Sequence, residues 1–257
     1  MATDWAGMAS AYELSFGRLC AGSLPFLIDR SRVAVPGTAL DAGTGTGSVA
    51  AALTARGFTV HGVDADPGMV AFASAQHPDV RFSVDALPRL SFANGTFALT
   101  VANFVINHVP KPRAAVQELA RVTADGGLVL VTIWPSSPIS PMNQLWNRVI
   151  TDSGVIPLSG HRLPAQDDFE RSRGGLGQLL AEAGLTDVTA EQIGWDFRID
   201  ADQLWIAVEA GIANIGATYR QQNLAGKRAM RAVFEDITEL GELTLRADAV
   251  LGAGRAP

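Results

Sequence analysis

One cysteine, Cys20, occurs in 257 residues, so the chain can form no internal disulfide and no zinc site built from several thiolates. A lone thiol suits a reducing compartment, and the cytoplasm is the expected location. Positive charge is also scarce: 20 Lys and Arg face 26 Asp and Glu, a formal charge of −6. That balance argues against a dedicated nucleic-acid binder, which would carry a basic face. Lys227, Arg228 and Arg231 do gather on a candidate helix, where they read as its solvated side. No uncharged apolar run approaches the ~18–20 residues that a membrane helix needs. The opening MATDWAGMASAYEL lacks the basic stretch and apolar run of a secretory signal. Charged residues make up only 18% and hydrophobic residues 47%, which suits a large buried core and excludes global disorder. A soluble chain without nucleic-acid or membrane partners is expected, and a homodimer is compatible with it.

The first 35 residues read as helix, with Tyr12, Leu14, Phe16 and Leu19 supplying apolar groups before Pro25. After Pro36-Gly37, short β-like runs alternate with helical runs, the signature of βαβ units and a parallel sheet. Strands are predicted at 39–42, 59–64, 80–84, 97–103 and 128–134, with helices at 47–56, 67–76 and 112–123 between them. Three prolines between Pro135 and Pro141 then break the rhythm. A helix over 142–152 follows, and Asp167-Asp168 reads as the start of the next helix, which carries Leu176, Leu179, Leu180 and Ala183. A sixth strand is predicted at 188–199 and a seventh at 243–251. Between them Trp205, Val208, Ile212, Ile215 and Tyr219 share one helical face, and Met230, Val233, Phe234, Ile237 and Leu240 another. One domain is expected over 1–257: a helical segment at 1–36, a core at 37–134, cap insertions at 135–167 and 200–241, and the end of the sheet at 168–199 and 242–257.

The sharpest signal is Ala39–Gly47, ALDAGTGTG, which runs out of the first strand into a helix. Glycines at 43, 45 and 47 let the backbone turn tightly against a ligand. A dinucleotide loop would carry a glycine where Ser48 stands, and Asp41 at the loop's mouth would repel a pyrophosphate. The same carboxylate suits a ligand bearing an ammonium and a sulfonium. Asp64 ends the second strand, where it can accept both hydroxyls of a ribose. Asp85 follows the third, where it can accept from an adenine amine. Three acids at successive strand ends share the crevice where open α/β sheets bind ligands. The plainer alternative, that each caps the following helix, stays open beside it.

ALDAGTGTG, HGVDADPGM, VDALP and FALTVANFVINHVPKPRAAVQELARVTADGGLVLVTIW together resemble the successive motifs of class I S-adenosylmethionine-dependent methyltransferases, above all the ubiquinone/menaquinone-biosynthesis type and its natural-product relatives. The resemblance is strong over 38–134 and loose over 168–199. It implies a Rossmann-like, seven-stranded, mostly parallel α/β sheet with helices on both faces and a helical cap, the last strand being antiparallel. It implies S-adenosylmethionine as cofactor, held by Tyr12, Asp41, Ala42, Gly43, Thr44, Gly45, Asp64, Ala65, Met69, Asp85, Ala86, Leu87, Asn103 and Phe104. Within that set Asp41 and Gly43 would meet the methionine part, Asp64 the ribose, Ala65 and Met69 the adenine faces, and Asp85-Ala86 its edge. Asn103 would present its backbone carbonyl to the methionine amine, and Tyr12 would close over the cofactor or pack as a helix residue.

Transfer to oxygen or nitrogen of a small molecule, in secondary metabolism, is the leading expectation, with carbon as the near variant. The alternative is an S-adenosylmethionine-binding catalyst that transfers no methyl, such as a cyclase. His108, after the fourth strand, and His161, in the loop LSGHRLP, are the candidate bases or substrate contacts. For His108 the competing role is structural or cofactor-side, and for His161 it is a solvated loop residue. His61 reads as structural, and His77 as a turn residue distant from the crevice. Trp134 and Trp195 are the candidate walls for a flat apolar substrate, whereas Trp146 and Trp205 read as core. No Asp stands at the fourth strand's end, so no metal is expected.

Overall fold

The structure, a computed structural model, describes residues 8–32, 37–158 and 163–257. The N-terminal segment is helical but interrupted. It comprises α1 (Ala9–Tyr12), a π-helical turn (Glu13–Gly17), α2 (Arg18–Ala21) and α3 (Leu24–Arg30), with Pro25 in the first turn of α3. Alternation follows as the sequence predicts: β1 (Thr38–Ala42), α4 (Ser48–Ala55), β2 (Thr59–Asp64), α5 (Pro67–Gln76), β3 (Arg81–Val84), β4 (Phe97–Asn103), α6 (Pro112–Val122) and β5 (Thr123–Ile133). Then come α7 (Pro141–Ser153), α8 (Arg173–Glu182), β6 (Thr186–Asp200), α9 (Ala201–Glu209), α10 (Ala213–Gln221), α11 (Leu224–Thr238) and β7 (Glu242–Arg255).

The seven strands form one sheet in the order β3-β2-β1-β4-β5-β7-β6. β1 to β5 pair in parallel, while β7 runs antiparallel to both β5 and β6. Strand order reverses between β1 and β4, so the crevice beyond their C-terminal ends is the natural ligand position. β1, β4 and β5 are apolar on both faces, as strands buried between helical layers must be.

Two expectations need correction. The face running from Trp205 to Tyr219 is split between α9 and α10, because Gly211 (φ 84°) and Ala213 (φ 57°) adopt left-handed backbone that ends one helix before the other begins. Asp167 and Asp168 do not open α8. Ser172 caps that helix by accepting from the Gly175 N–H, and Asp168 instead holds Arg171 at 2.8 Å.

Beyond the level where Ile133 pairs with Val250, the β6–β7 ribbon continues until Asp200 meets Glu242. The projecting ribbon carries α9–α11, which with α7 enclose a separate core. Phe234 is fully buried there, with its ring centroid 5.7 Å from that of Trp146 and 4.8 Å from that of Trp205. Trp146 and Trp205 are thus core residues, as their helical spacing suggests. Phe234→Ala should cost roughly 3–5 kcal/mol, read as a lower midpoint in urea at unchanged slope. Among the described residues, no helix is long and apolar enough to cross a membrane.

Candidate cofactor site

The loop between β1 and α4 turns on three glycines with left-handed backbone, Gly43 (φ 74°), Gly45 (φ 55°) and Gly47 (φ 93°). The N–H groups of Gly43 and Thr44 both donate to the Val63 carbonyl at 2.8 Å, pinning the loop to β2. Asp41 lies beneath it, only 1% exposed. Its Oδ2 accepts from Thr44 Oγ1 at 2.7 Å and from the Ala50 N–H at 3.0 Å, so this oxygen serves the first turn of α4. Its Oδ1 is enclosed without a hydrogen-bond partner. Burial pushes the carboxyl up to about 7, opposed by the bonds from Thr44 and Ala50. Asp41 therefore holds a proton through most of the acidic range until a cation is brought to it.

That sets a pH dependence with a definite sign. A bound cation favours the carboxylate, so binding below pH 7 must expel the Asp41 proton, and affinity should rise with pH until it levels above ~7. Calorimetry in buffers of different ionisation enthalpy should find proton release at pH 6 that is larger than at pH 8. Asp41→Asn should remove that share.

Asp64 ends β2 with a different set of partners. Its Oδ2 accepts from the Gly45 N–H and its Oδ1 from the Asp66 N–H, each at 2.9 Å. Burial raises its pKa. The capping function that could have explained Asp64 falls to Asp66, whose carboxylate accepts from the Met69 N–H at 2.9 Å. Asp85 accepts from Ala86 N–H at 2.9 Å and Ser91 N–H at 2.7 Å, and so ties the loop after β3 rather than a helix. Ala65 and Ala86 are exposed, Leu87 is partly buried, and Met69 is 3% exposed inside the α5 packing. Ala42 is buried at the end of β1.

At the end of β4, Asn103 Oδ1 stands 2.9 Å from Ser23 Oγ and accepts from Thr132 Oγ1 at 2.5 Å. Phe104 follows in left-handed backbone (φ 59°), its N–H bonded to the Thr132 carbonyl and hydroxyl. For an aromatic residue this is an uncommon backbone, of the kind held in place at functional sites. Its ring stacks on Trp134, with centroids 3.9 Å apart and planes at 9°. Trp134 is held by a reciprocal pair of bonds with the Asn107 amide, at 3.1 and 3.3 Å. Trp195 lies 6.0 Å from Trp134, and Phe26 lies 6.5 Å from Trp195. Gly22 seats the indole, since a Cβ there would stand 2.1 Å from Trp195 Nε1. The structure thus brings Trp134 and Trp195 into one cluster at the strand ends. Phe26 and Gly22, absent from the sequence expectation, belong to it.

Tyr12 reaches across from the N-terminal segment. Its hydroxyl donates to Cys20 Sγ at 3.6 Å, and its Cε1 lies 3.8 Å from where a Cβ on Gly45 would be. Burial, and next the Cys20 thiol, hold its pKa well above the usual value. His108 keeps solvent access although it sits in a dense loop; desolvation and then the Arg171 charge lower its pKa, leaving a neutral ring at pH 7. His161 lies outside the described residues. His61 Nε2 is 2.8 Å from Ser83 Oγ, a structural contact within the sheet. His77 is not distant from the site: its Cδ2 would meet a Cβ on Gly47 at 2.7 Å, so its ring backs the glycine loop.

A groove of about 290 Å³ on the cap is lined by Tyr219, Leu224, Lys227, Arg228, Arg231, Ala232 and Glu235, none of which belongs to this constellation. Arg231 there is not simply solvated; it pairs with Asp202 and, at 2.6 Å, with Glu235.

The set of acceptors fits a nucleoside with a positive charge and no phosphate. The enclosed Asp41 and Asp64 supply acceptors that, among the described residues, no Lys or Arg pairs with, and Asp41 retains an orphan oxygen. Residues 40–131 match the family model described as a methyltransferase domain. The demethylmenaquinone methyltransferase of Paenarthrobacter aurescens is 28% identical over 175 residues, 63% of this chain and 68% of that protein. That of Beutenbergia cavernae is 34% identical over 158 residues, 58% of this chain and 65% of its own. The solved cyclase SpnF shares the fold with a TM-score of 0.58 at 20% identity, over 94% of this chain and 83% of that one. Residues 40–131 are a methyltransferase domain, and the chain is an S-adenosylmethionine-dependent enzyme similar to those demethylmenaquinone methyltransferases over about 60% of its length, with S-adenosylmethionine as its cofactor.

Proposed function

We propose that this enzyme methylates an oxygen or nitrogen of a small, flat, largely apolar molecule, with carbon as the near variant, in cytoplasmic secondary metabolism. The observation that carries the reading is the cluster of Phe104, Trp134, Trp195 and Phe26 beside the acid-lined crevice. Such rings favour a planar partner of similar breadth. The relatives' name supports a ring-bearing acceptor, since their substrate is a quinone derivative.

The cofactor supplies a methyl group already activated on a sulfonium, so the protein's work is alignment, desolvation and proton handling. Asp64 would accept the ribose hydroxyls in place of, or beside, the Gly45 N–H. Asp85 would accept at the adenine edge, and Asp41 Oδ1 would face the positive end. Tyr12 and the N-terminal helices would close over Gly45 and exclude water. Holding both reactants in line can lower the barrier by roughly 7–11 kcal/mol in favourable cases. His108, neutral at pH 7, can take a proton where the acceptor must lose one.

The test is turnover with a panel of phenols, naphthols, aryl amines and reduced naphthoquinones. S-adenosylhomocysteine should form in step with methylated product. An acceptor consumed without S-adenosylhomocysteine would instead indicate a cyclase-like catalyst.

A further inference from the structure

Glu13 opens the π-helical turn that directly follows Tyr12, and its Oε2 is fully enclosed with no hydrogen-bond partner. An enclosed carboxylate oxygen without a donor is costly, and proteins retain one where a ligand or a reaction uses it. Asp41 Oδ1 is in the same condition at the glycine loop.

The surroundings of Glu13 are specific. A π turn widens the helix and recurs at functional sites. Gly17 sits opposite: a Cβ there would stand 3.3 Å from Glu13 Oε2 and 3.4 Å from Tyr12 Cδ1. Glu13 and Tyr12 therefore share one space, and Tyr12 lies over Gly45. The turn also packs against α9 of the cap, outside the matched stretch 40–131. The cofactor's ammonium, ribose and adenine have Asp41, Asp64 and Asp85 to receive their donors. A fourth acid, placed between that loop and the cap, remains for the second substrate.

We propose that Glu13 is a specificity-determining residue whose Oε2 accepts a hydrogen bond from a hydroxyl or amine of the methyl acceptor. This rests on the flat-acceptor reading above. Molecules with a ring for the aromatic cluster and a donor for Glu13 satisfy both; an ether of the same shape leaves the oxygen orphaned. Where the donor atom is the one methylated, its proton passes to Oε2. The new bond to the methyl carbon forms as the carbon–sulfur bond breaks, leaving neutral S-adenosylhomocysteine.

The experiment measures binding of 2-naphthol and 2-methoxynaphthalene to the S-adenosylhomocysteine-loaded enzyme, wild type, Glu13→Gln and Glu13→Ala. Wild type should prefer 2-naphthol by about tenfold or more, the scale of a hydrogen bond to a charged group. Glu13→Ala should lose that preference and Glu13→Gln, which keeps a weaker neutral acceptor, should retain only part of it, while S-adenosylhomocysteine affinity changes less than about twofold. Gln preserves size, and a thermal melt of each variant reports its folding. An undiminished preference in Glu13→Ala overturns the proposal. So does a tenfold loss of S-adenosylhomocysteine affinity, which would give Glu13 to the cofactor. If wild type binds neither naphthalene, the flat-acceptor reading itself fails, and the proposal with it.

Discussion

Asp64→Ala should weaken S-adenosylmethionine binding on the order of 100-fold while leaving the free protein folded. A charged acceptor bonding two hydroxyls supplies roughly 1.5–3 kcal/mol per bond, so losing both gives at least two decades in dissociation constant. The folded state should change little. The variant loses the bonds from the Gly45 and Asp66 N–H groups, but it also loses a carboxylate whose pKa is raised by burial, which means that its charged form is disfavoured in the free protein. Asp64→Asn, which keeps one acceptor oxygen, should fall between, at about tenfold. Calorimetry and a thermal melt on the same preparations separate the two effects. Unaltered affinity would mean that the ribose lies elsewhere.

Gly43→Ala should damage both binding and stability. At φ 74° a side chain brings the steric cost of left-handed backbone, about 1–2 kcal/mol. The added Cβ would also stand 2.3 Å from Val105 Cγ2, 3.0 Å from its Cγ1 and 3.2 Å from its Cβ, so rotating the valine cannot clear it. Overpacking of this kind adds about 1–3 kcal/mol. The total expected loss is about 2–5 kcal/mol in a denaturant titration, with cofactor affinity reduced by more than about tenfold as the loop shifts. Gly43→Ala/Val105→Ala should recover the clash but not the backbone cost. Full recovery in the double variant would show that glycine's conformational freedom is dispensable at this position.

The parallel half of the fold was legible because its signals are local. Apolar runs such as Leu128–Ile133 sit between glycine or proline breaks, and Asp66-Pro67 announces a capped helix with proline in its first turn. The same dipeptide could have shown that Asp64 is free of capping. The break between α9 and α10 was hidden because apolar spacing continues across Gly211, whose left-handed backbone no periodicity reveals. Contacts made at long range were also hidden. Nothing near Gly22 in the chain indicates Trp195, and nothing near Gly47 indicates that the His77 ring lies behind it. Glu13 escaped notice for a related reason, since an unpaired oxygen is defined by everything that fails to reach it. The cofactor loop could be read from spacing and charge, whereas the acceptor side depends on packing among the N-terminal helices, the strand ends and the cap.

Acids at three strand ends, Asp41 and Asp64 of them enclosed, select a cationic nucleoside over a phosphate-bearing one. Titrating the purified chain by calorimetry with S-adenosylmethionine and, separately, with NAD⁺ tests this selection directly. Saturable one-to-one binding of the first and no heat from the second is the predicted result. Binding of NAD⁺ with no response to S-adenosylmethionine would contradict it.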